Sequence, residues 1–354
     1  MNNTSVRIPY VELKQWAIDC FAAAGAPREM AEAMAETLIQ GDLLGFSTHG
    51  LRRLPYNIKR IVLGEANVAA DLQVIKQKLA VETWDAHTLP GIYVARKAVA
   101  RACELAKAAG SGTIVVRRAD HVACLAAYLE QATSQGLVIS LMASTPAQES
   151  VAPFGSVSRV FSPNPFAMGV PTSSQPLLLD MSFSMTAAGK VRQAYDRSEL
   201  LPFAAVITAQ GEATREPSAY IEGDGALLPL GGMELGYKGY GLCLMSEIWT
   251  MALSNYGRAQ ATEDGERNSL FVQVYDPEAF GSLDSFLAVT DDLITRCRAS
   301  RPVDETKPVR IPGEKGLALR EQQMKEGVEL DSLTWEKLKS CSARLNVTMP
   351  KTNQ

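Results

Sequence analysis

Only three histidines occur in this chain of 354 residues, and two of them stand in short polar turns between apolar segments. One turn reads Ser47-Thr48-His49-Gly50 and the other Asp120-His121. Imidazole can both give and take a proton near neutrality, so these turns are candidate acid/base positions. If a helix begins near Gly50 or Leu51, Ser47 or Thr48 is its natural N-cap, and the first-turn N–H groups face His49. Arg53 follows four residues later on the same helical face. A helix mouth, a histidine and an arginine together can grip a carboxylate while offering a proton to a neighbouring oxygen. The same residues would also serve a capped helix that carries a surface histidine and arginine. The third histidine, in Trp84-Asp85-Ala86-His87, adjoins a strand-like run and reads as structural.

His121 follows the β-branched run Thr113-Ile114-Val115-Val116 and precedes a helical pattern. Strand-to-helix junctions hold functional groups on a rigid scaffold, although a histidine fixed at a turn by hydrogen bonds fits there equally. Cys124 reads as core. Gly236-Tyr237-Lys238-Gly239-Tyr240-Gly241 offers backbone N–H groups and a lysine to an anion, or else forms a plain turn. Neither G-x-G-x-x-G nor G-x-x-x-x-G-K-[ST] occurs, so a bound dinucleotide would not use the Rossmann fingerprint. A metal site from His49, His121 and Asp180 lacks ligand spacing, and no metal is expected.

These turns need elements to hold them. Helical periodicity covers residues 10–64 in three stretches, closed at Gly25, Gly45 and Gly64. A mixed pattern follows. Strands are expected at 79–84, 113–116, 137–142, 177–180 and 269–275, and helices at 93–109, 125–133, 240–253, 283–297, 317–325 and 333–338. With 46% hydrophobic and 21% charged residues the chain can build a sizeable core. The formal net charge of -4 argues against nucleic acid or an anionic membrane as the main partner. No apolar run approaches the ~20 residues of a membrane span, and the N-terminal residues show no secretory h-region. Six scattered cysteines without a C-x-x-C pair point to a reducing cytoplasm.

In order along the chain, these pieces resemble the malate/L-lactate dehydrogenase family that is unrelated to the Rossmann enzymes. Gly45-Phe46-Ser47-Thr48-His49-Gly50-Leu51-Arg52-Arg53 matches G-x-x-S-H-G-x-x-R, and Asp120-His121 stands for N-H-F-G. Val151-Ala152-Pro153-Phe154-Gly155, Asn164-Pro165 with Pro171, and Asp180-Met181-Ser182-Phe183-Ser184 come next. Gly236 to Leu242 and Pro312-Gly313-Glu314 complete the series. Within the family the chain looks most like the 2,3-diketo-L-gulonate reductase branch, through Glu82-Thr83-Trp84-Asp85-Ala86, Asp180 to Met185 and Arg310-Ile311-Pro312-Gly313.

The resemblance implies an α+β fold: a non-Rossmann cofactor-binding domain with a mostly antiparallel sheet, and a helical domain built from both chain ends. Residues 1–70 would join 283–345 in the helical, substrate-side domain, with 71–282 binding NAD or NADP. It also implies a homodimer and hydride transfer between NAD(P)H and a small anionic 2-oxo acid or its 2-hydroxy counterpart. His49 would donate the proton, supported by Thr48 in place of the family's serine. Arg53 would hold the carboxylate, and His121 would line the pocket or share the acid/base role. Asp180, Met181, Ser182, Phe183, Ser184, Met185, Tyr237, Lys238, Gly313 and Glu314 would contact the cofactor. A cyclic-imine carboxylate reductase and a catalytically impaired cofactor-binding relative are the alternatives, with a metal-dependent lyase or hydrolase last.

Three departures from the family pattern surround the pocket. N-H-F-G reads Asp120-His121-Val122-Ala123, G-T-N-P reads Ser162-Pro163-Asn164-Pro165, and serine reads Thr48. An Asp120 carboxylate touching His121 would raise the imidazole pKa.

Overall fold

The structure, a computed structural model, describes residues 5–261 and 266–352. Its first strand, β1 (Ser5–Ile8), pairs antiparallel with residues Val328–Asp331 at the far end of the chain. Two long helices follow, α1 (Tyr10–Ala23) and α2 (Arg28–Leu43). Leu13, Trp16, Ala17, Cys20 and Phe21 form the buried stripe of α1, at the spacing that puts side chains on one helix face. Gly25, at φ +99°, ends that helix in the left-handed conformation open to glycine. The third expected helix begins later than its periodicity suggested. Two 3₁₀ turns, Ser47–His49 and Leu51–Arg53, come first, and α3 runs from Leu54 to Val62.

The middle of the chain builds a seven-stranded sheet. Its first strands are β2 (Gln73–Lys78) and β3 (Val81–Asp85), followed by α4 (Gly91–Ala109), β4 (Ser111–Ala119) and α5 (Ala126–Thr133). Then come β5 (Val138–Ser144), β6 (Pro165–Val170), β7 (Leu177–Ser182) and α6 (Ala188–Asp196). A small three-stranded sheet is made by β8 (Val206–Ile207), β9 (Ala213–Thr214) and β10 (Ala226–Leu227), with α7 (Ser218–Ile221) before its last strand. After α8 (Gly232–Leu235), α9 (Tyr237–Glu247) continues through a π turn at Ile248–Ala252, and β11 (Asn268–Tyr275) returns to the large sheet. The tail comprises α10 (Leu283–Ala299), α11 (Glu314–Glu326), β12 (Val328–Asp331) and α12 (Ser332–Leu345).

The large sheet has the order β2-β3-β4-β11-β5-β6-β7. Only the β3–β4 pairing is parallel, so the fold is α+β with a mostly antiparallel sheet. Strand alternation sorts its side chains between two faces. Ile114, Val116, Ile139, Leu141, Leu270 and Val272 face α4, α5 and the N-terminal helices in one continuous core. Val115, Met142 and Phe271 point the other way, where Trp249 of the π turn stacks on Phe271 with ring centroids 5.6 Å apart. The chain ends join through β1–β12 and through Trp16, whose indole N–H donates to Ser342 Oγ at 3.0 Å. Among the described residues, no helix is long and apolar enough to cross a membrane.

Two strands were hidden by composition. β2 is exposed along its whole length and mixes Val74 and Ile75 with polar residues, because it is a sheet edge that needs no apolar face. β6 begins at Pro165 and contains Gly169, residues that read as loop; Gly169 is needed because a Cβ there would lie 2.9 Å from Thr133 Cγ2 on α5.

Candidate active site

The two junction histidines meet. Their rings stack with centroids 5.7 Å apart and planes 13° off parallel. Thr48 Oγ1 lies 3.0 Å from His49 Nδ1, so the hydroxyl serves the ring rather than capping a helix. The expected Ser47 or Thr48 cap is replaced by Asp42, whose Oδ2 accepts the Leu51 N–H at 2.7 Å. Asp42 reaches this N–H because residue 50 is glycine; a Cβ there would stand 2.2 Å from Asp42 Oδ1. Burial raises the Asp42 carboxyl from 3.8 to about 8. Behind it, Gln323 of α11 donates to the carbonyls of Asp42 and Leu43 at 3.1 and 3.3 Å, closing the C-terminal end of α2.

The His121 turn is pinned from the sheet. Asn268 on β11 accepts the Val122 N–H at 3.1 Å and donates to Thr145 Oγ1 at 2.8 Å. The Ala123 N–H donates to His121 Nδ1 at 3.1 Å, so the neutral ring carries its proton on Nε2. Ala123 does this at φ +59°, in the left-handed region. The polar chain continues inward. Ser162 Oγ accepts the Thr145 N–H and donates to Asn164 Oδ1, and Asn164 and the Ser162 N–H both donate to Glu247 of α9. Glu247 is paired with Arg258 at 2.5 Å. The altered Ser162-Pro163-Asn164-Pro165 stretch thus joins the His121 turn to α9.

The Asp120 carboxylate does not raise the His121 pKa. It accepts from Arg60 Nε at 2.8 Å, and burial lifts its own pKa to about 7. His121 is pushed well below 6.5 by burial first, then by Arg53, His49 and Arg60. His49 falls to about 4 through burial and the Arg53 charge. Both rings are therefore neutral at pH 7. Arg53 lies beside them, its guanidinium 4.6 Å above the Tyr56 ring and its Nη2 2.5 Å from Glu266 Oε2. Its Nε is buried without a hydrogen-bond partner.

The residues expected around a cofactor lie along β7, the free edge of the sheet, and the stretch after it. Asp180 Oδ2 accepts the Ala126 N–H at 2.7 Å and so holds the start of α5; burial raises it to about 6. Phe183 turns its ring into the core against Phe166, with centroids 5.6 Å apart, leaving only its backbone near the edge. Met181, Ser182 and Met185 are half-buried, and Ser184 donates to the Thr186 carbonyl at 2.8 Å. Phe183 accepts from the Leu230 N–H, and Leu230 accepts from the Gly239 N–H, which brings Tyr237 and Lys238 to this end of β7. At the other end the Leu178 N–H donates to Pro312, and Gly313, at φ +94°, passes so close that a Cβ would lie 2.9 Å from Leu178 N. Glu314 accepts from Ile311 N–H and pairs with Arg298 beside a cavity of about 260 Å³ that also admits Ser173, Ser174 and Thr295.

Those residues fit a dinucleotide. Lys238 is exposed at the first turn of α9 and has no carboxylate partner among the described residues, which suits a phosphate. The span from Leu178 to Phe183 is about 17 Å of extended chain, flanked by the cavity at one end and Lys238 at the other. A further element had no sequence signal: α6 starts against the His49 turn, with Thr48 Cβ 3.9 Å from where a Cβ on Gly189 would stand. Asp42, Asn268, Glu266 and Thr145 were likewise absent from the expected set. His87 is held by Gln73 and Arg118, each at 3.0 Å.

Comparison with known proteins bears on the whole chain. The malate/L-lactate dehydrogenase family model matches residues 8–339. The malate dehydrogenase of Pyrococcus abyssi is 32% identical over 350 residues, covering 97% of this chain and 96% of its own. The solved malate dehydrogenase of Pyrococcus horikoshii superposes with a TM-score of 0.87 at 28% identity, covering 98% of this chain and 97% of that one. The Δ1-piperideine-2-carboxylate reductase of Pseudomonas syringae superposes with a TM-score of 0.83 at 25% identity, over 95% and 99% of the two chains. The chain therefore belongs to the malate/L-lactate dehydrogenase family, enzymes that act on the CH–OH group of hydroxy acids.

Proposed function

We propose that this protein interconverts a small 2-oxo acid and its 2-hydroxy acid with a nicotinamide nucleotide, using His49 as the proton-transfer group. The observation that carries this reading is the meeting of His49, His121 and Arg53, with the Arg53 Nε buried and unpartnered. Asp180 to Met185, Tyr237, Lys238, Gly313 and Glu314 would hold NAD or NADP along β7. When bound, the nucleotide supplies or accepts the hydride. Arg53 fixes the substrate carboxylate, and with it the face that meets the nucleotide. Thr48 holds His49 by Nδ1 and leaves Nε2 for the substrate oxygen. Neutral His49 is ready to accept the hydroxyl proton in the oxidative direction. In the reductive direction a proton must arrive on the ring with the substrate, whose carboxylate offsets the Arg53 charge that disfavours imidazolium.

A cyclic-imine carboxylate is the second reading. It draws support from the likeness to the piperideine carboxylate reductase and from Glu266, whose negative charge beside Arg53 suits an iminium. Leu242, Met245, Trp249 and Leu253 recur at helical spacing along α9 and its extension, each between 42% and 50% exposed, which supports a homodimer closed over this face. Six free cysteines, only Cys297 exposed, suit a reducing cytoplasm. We take 1–70 with 283–345 as the substrate-side unit and 71–282 as the nucleotide-binding unit.

A matrix of NADH and NADPH against 2-oxo acids and cyclic imines tests the proposal, with turnover expected for at least one pair. Reductive kcat/KM should fall about tenfold per pH unit between pH 5 and 7, above the free-enzyme pKa of His49 near 4, while oxidative kcat/KM stays flat. Absence of turnover across the matrix, with or without nucleotide binding, would sink the reading.

A further inference from the structure

The charges around the two histidines bear on what the rest of the substrate can be. On α3 and the turn before it, Arg53 and Arg60 are cations that lie on this face. Arg53 is paired with Glu266 through Nη2 at 2.5 Å, which leaves its unpartnered Nε as the edge for a ligand carboxylate. Arg60, buried to 3% exposure, is paired with Asp120 at 2.8 Å and with Glu65 at 3.1 Å. Both guanidinium groups thus already have carboxylate partners, while both imidazoles are neutral. Lys190, on the helix that starts beside Thr48, stands exposed to solvent, where water screens its charge. One substrate carboxylate can be received at Arg53. A second would meet cations already matched and would lie in the field of Glu266.

The neutral polar group on the same side of α3 is Asn57. It lies one turn after Arg53 and three residues before Arg60, is 3% exposed, and neither its Nδ2 nor its Oδ1 has a hydrogen-bond partner. Buried amides are ordinarily satisfied, so an orphan donor and acceptor on the helix face of Arg53 and Arg60 call for a group that both gives and takes a hydrogen bond. A hydroxyl or an amide does this; a carboxylate only accepts.

Resting on the 2-oxo acid reading above, we infer that the substrate is a monocarboxylate whose remaining part is uncharged and polar, and that Glu266 is the residue that rejects a second carboxylate. This separates the chain from relatives whose names specify malate, a dicarboxylate.

The test uses two isosteric 2-oxo acids, oxaloacetate and 2-oxosuccinamate, which differ only in a carboxylate against an amide. Each is assayed with the full-length enzyme as a substrate and as a competitive inhibitor of the fastest 2-oxo acid found. Wild type is expected to favour the half-amide at least tenfold. Glu266→Gln should shrink that preference about tenfold, and Glu266→Asp, which keeps the charge, should retain it. A merely structural glutamate would change both ligands alike. A wild-type preference for oxaloacetate, or a ratio unmoved by Glu266→Gln, overturns this inference while leaving the reductase reading intact. Failure of every 2-oxo acid to turn over removes both.

Discussion

The two histidines that face each other are held by opposite means. His49 sits in a turn clamped inside the helical layer, with Asp42 pressed against Gly50 and bonded to Leu51, and Gln323 bracing α2 from behind. His121 hangs from the sheet by the Asn268 amide and by its own bond from the left-handed Ala123. Packing fixes the first turn, so disturbing it should cost stability. Hydrogen bonds aim the second, so disturbing it should cost geometry. The His49 turn is thus built into the core, and the His121 turn can be re-aimed by changes at a few polar residues. Of the departures from the family pattern, Asp120, Val122, Ala123 and Ser162 belong to the second turn or to the polar chain behind it, and Thr48 belongs to the first.

The comparison breaks first at the histidines themselves. His49→Ala should lower kcat by ~10²–10⁴ in both directions, the usual contribution of a positioned acid or base, with nucleotide-induced thermal stabilisation unchanged. His121→Ala should act more weakly and chiefly on KM. Equal kcat losses would mean that the rings share the proton, and the contrast drawn here would not hold.

Next comes the clamp. Asp42→Ala leaves the Leu51 N–H without its acceptor and should destabilise the fold by about 1–3 kcal/mol in urea unfolding at pH 5. The pH dependence sharpens the point. The native Asp42 carboxyl keeps its proton up to about pH 8, whereas its ordinary pKa is 3.8, so the folded state binds more protons between those values. This contribution is whole below about pH 4 and is lost as pH rises toward 8. Asp42→Asn should flatten that decline in part, because Asp120 and Asp180, raised to about 7 and 6, slope the same way. A variant whose stability still falls as steeply as wild type across this window would show that Asp42 ionises freely in the native protein.

The smallest effect is expected at the hanger. Asn268→Ala should cost about 1 kcal/mol of stability and raise KM several-fold, with kcat near wild type. A loss of stability as large as that of Asp42→Ala would make the His121 turn part of the core after all.

Local signals carried much of this architecture. Histidines at element junctions, Arg53 one turn beyond His49, and the helical stripes of α1, α2 and α4 could be read from neighbours in sequence. The supports could not. Asn268 lies 146 residues from the Val122 N–H it holds, and in sequence it is only the polar start of an apolar strand. Asp42 reads as one acid in a helix until Gly50 is seen against it. Asp120 precedes His121, yet its carboxylate goes to Arg60, because a side chain at a turn answers to whichever partner the fold brings near. Phe183 lies within the stretch matched to the cofactor site but faces the core, since neighbouring side chains on an extended segment point to opposite sides.

Because Ser5–Ile8 pairs with Val328–Asp331, the layer that carries His49 is closed by two strands that lie far apart in sequence. The helices α1 and α2 must wait for β12 and for Ser342 to meet Trp16, 326 residues apart, and so distant a closure is slow. All seven strands of the large sheet, by contrast, lie before residue 276 and can pair earlier. A chain cut before β12 would therefore keep the strands of its sheet and lose the clasp on the layer that holds His49.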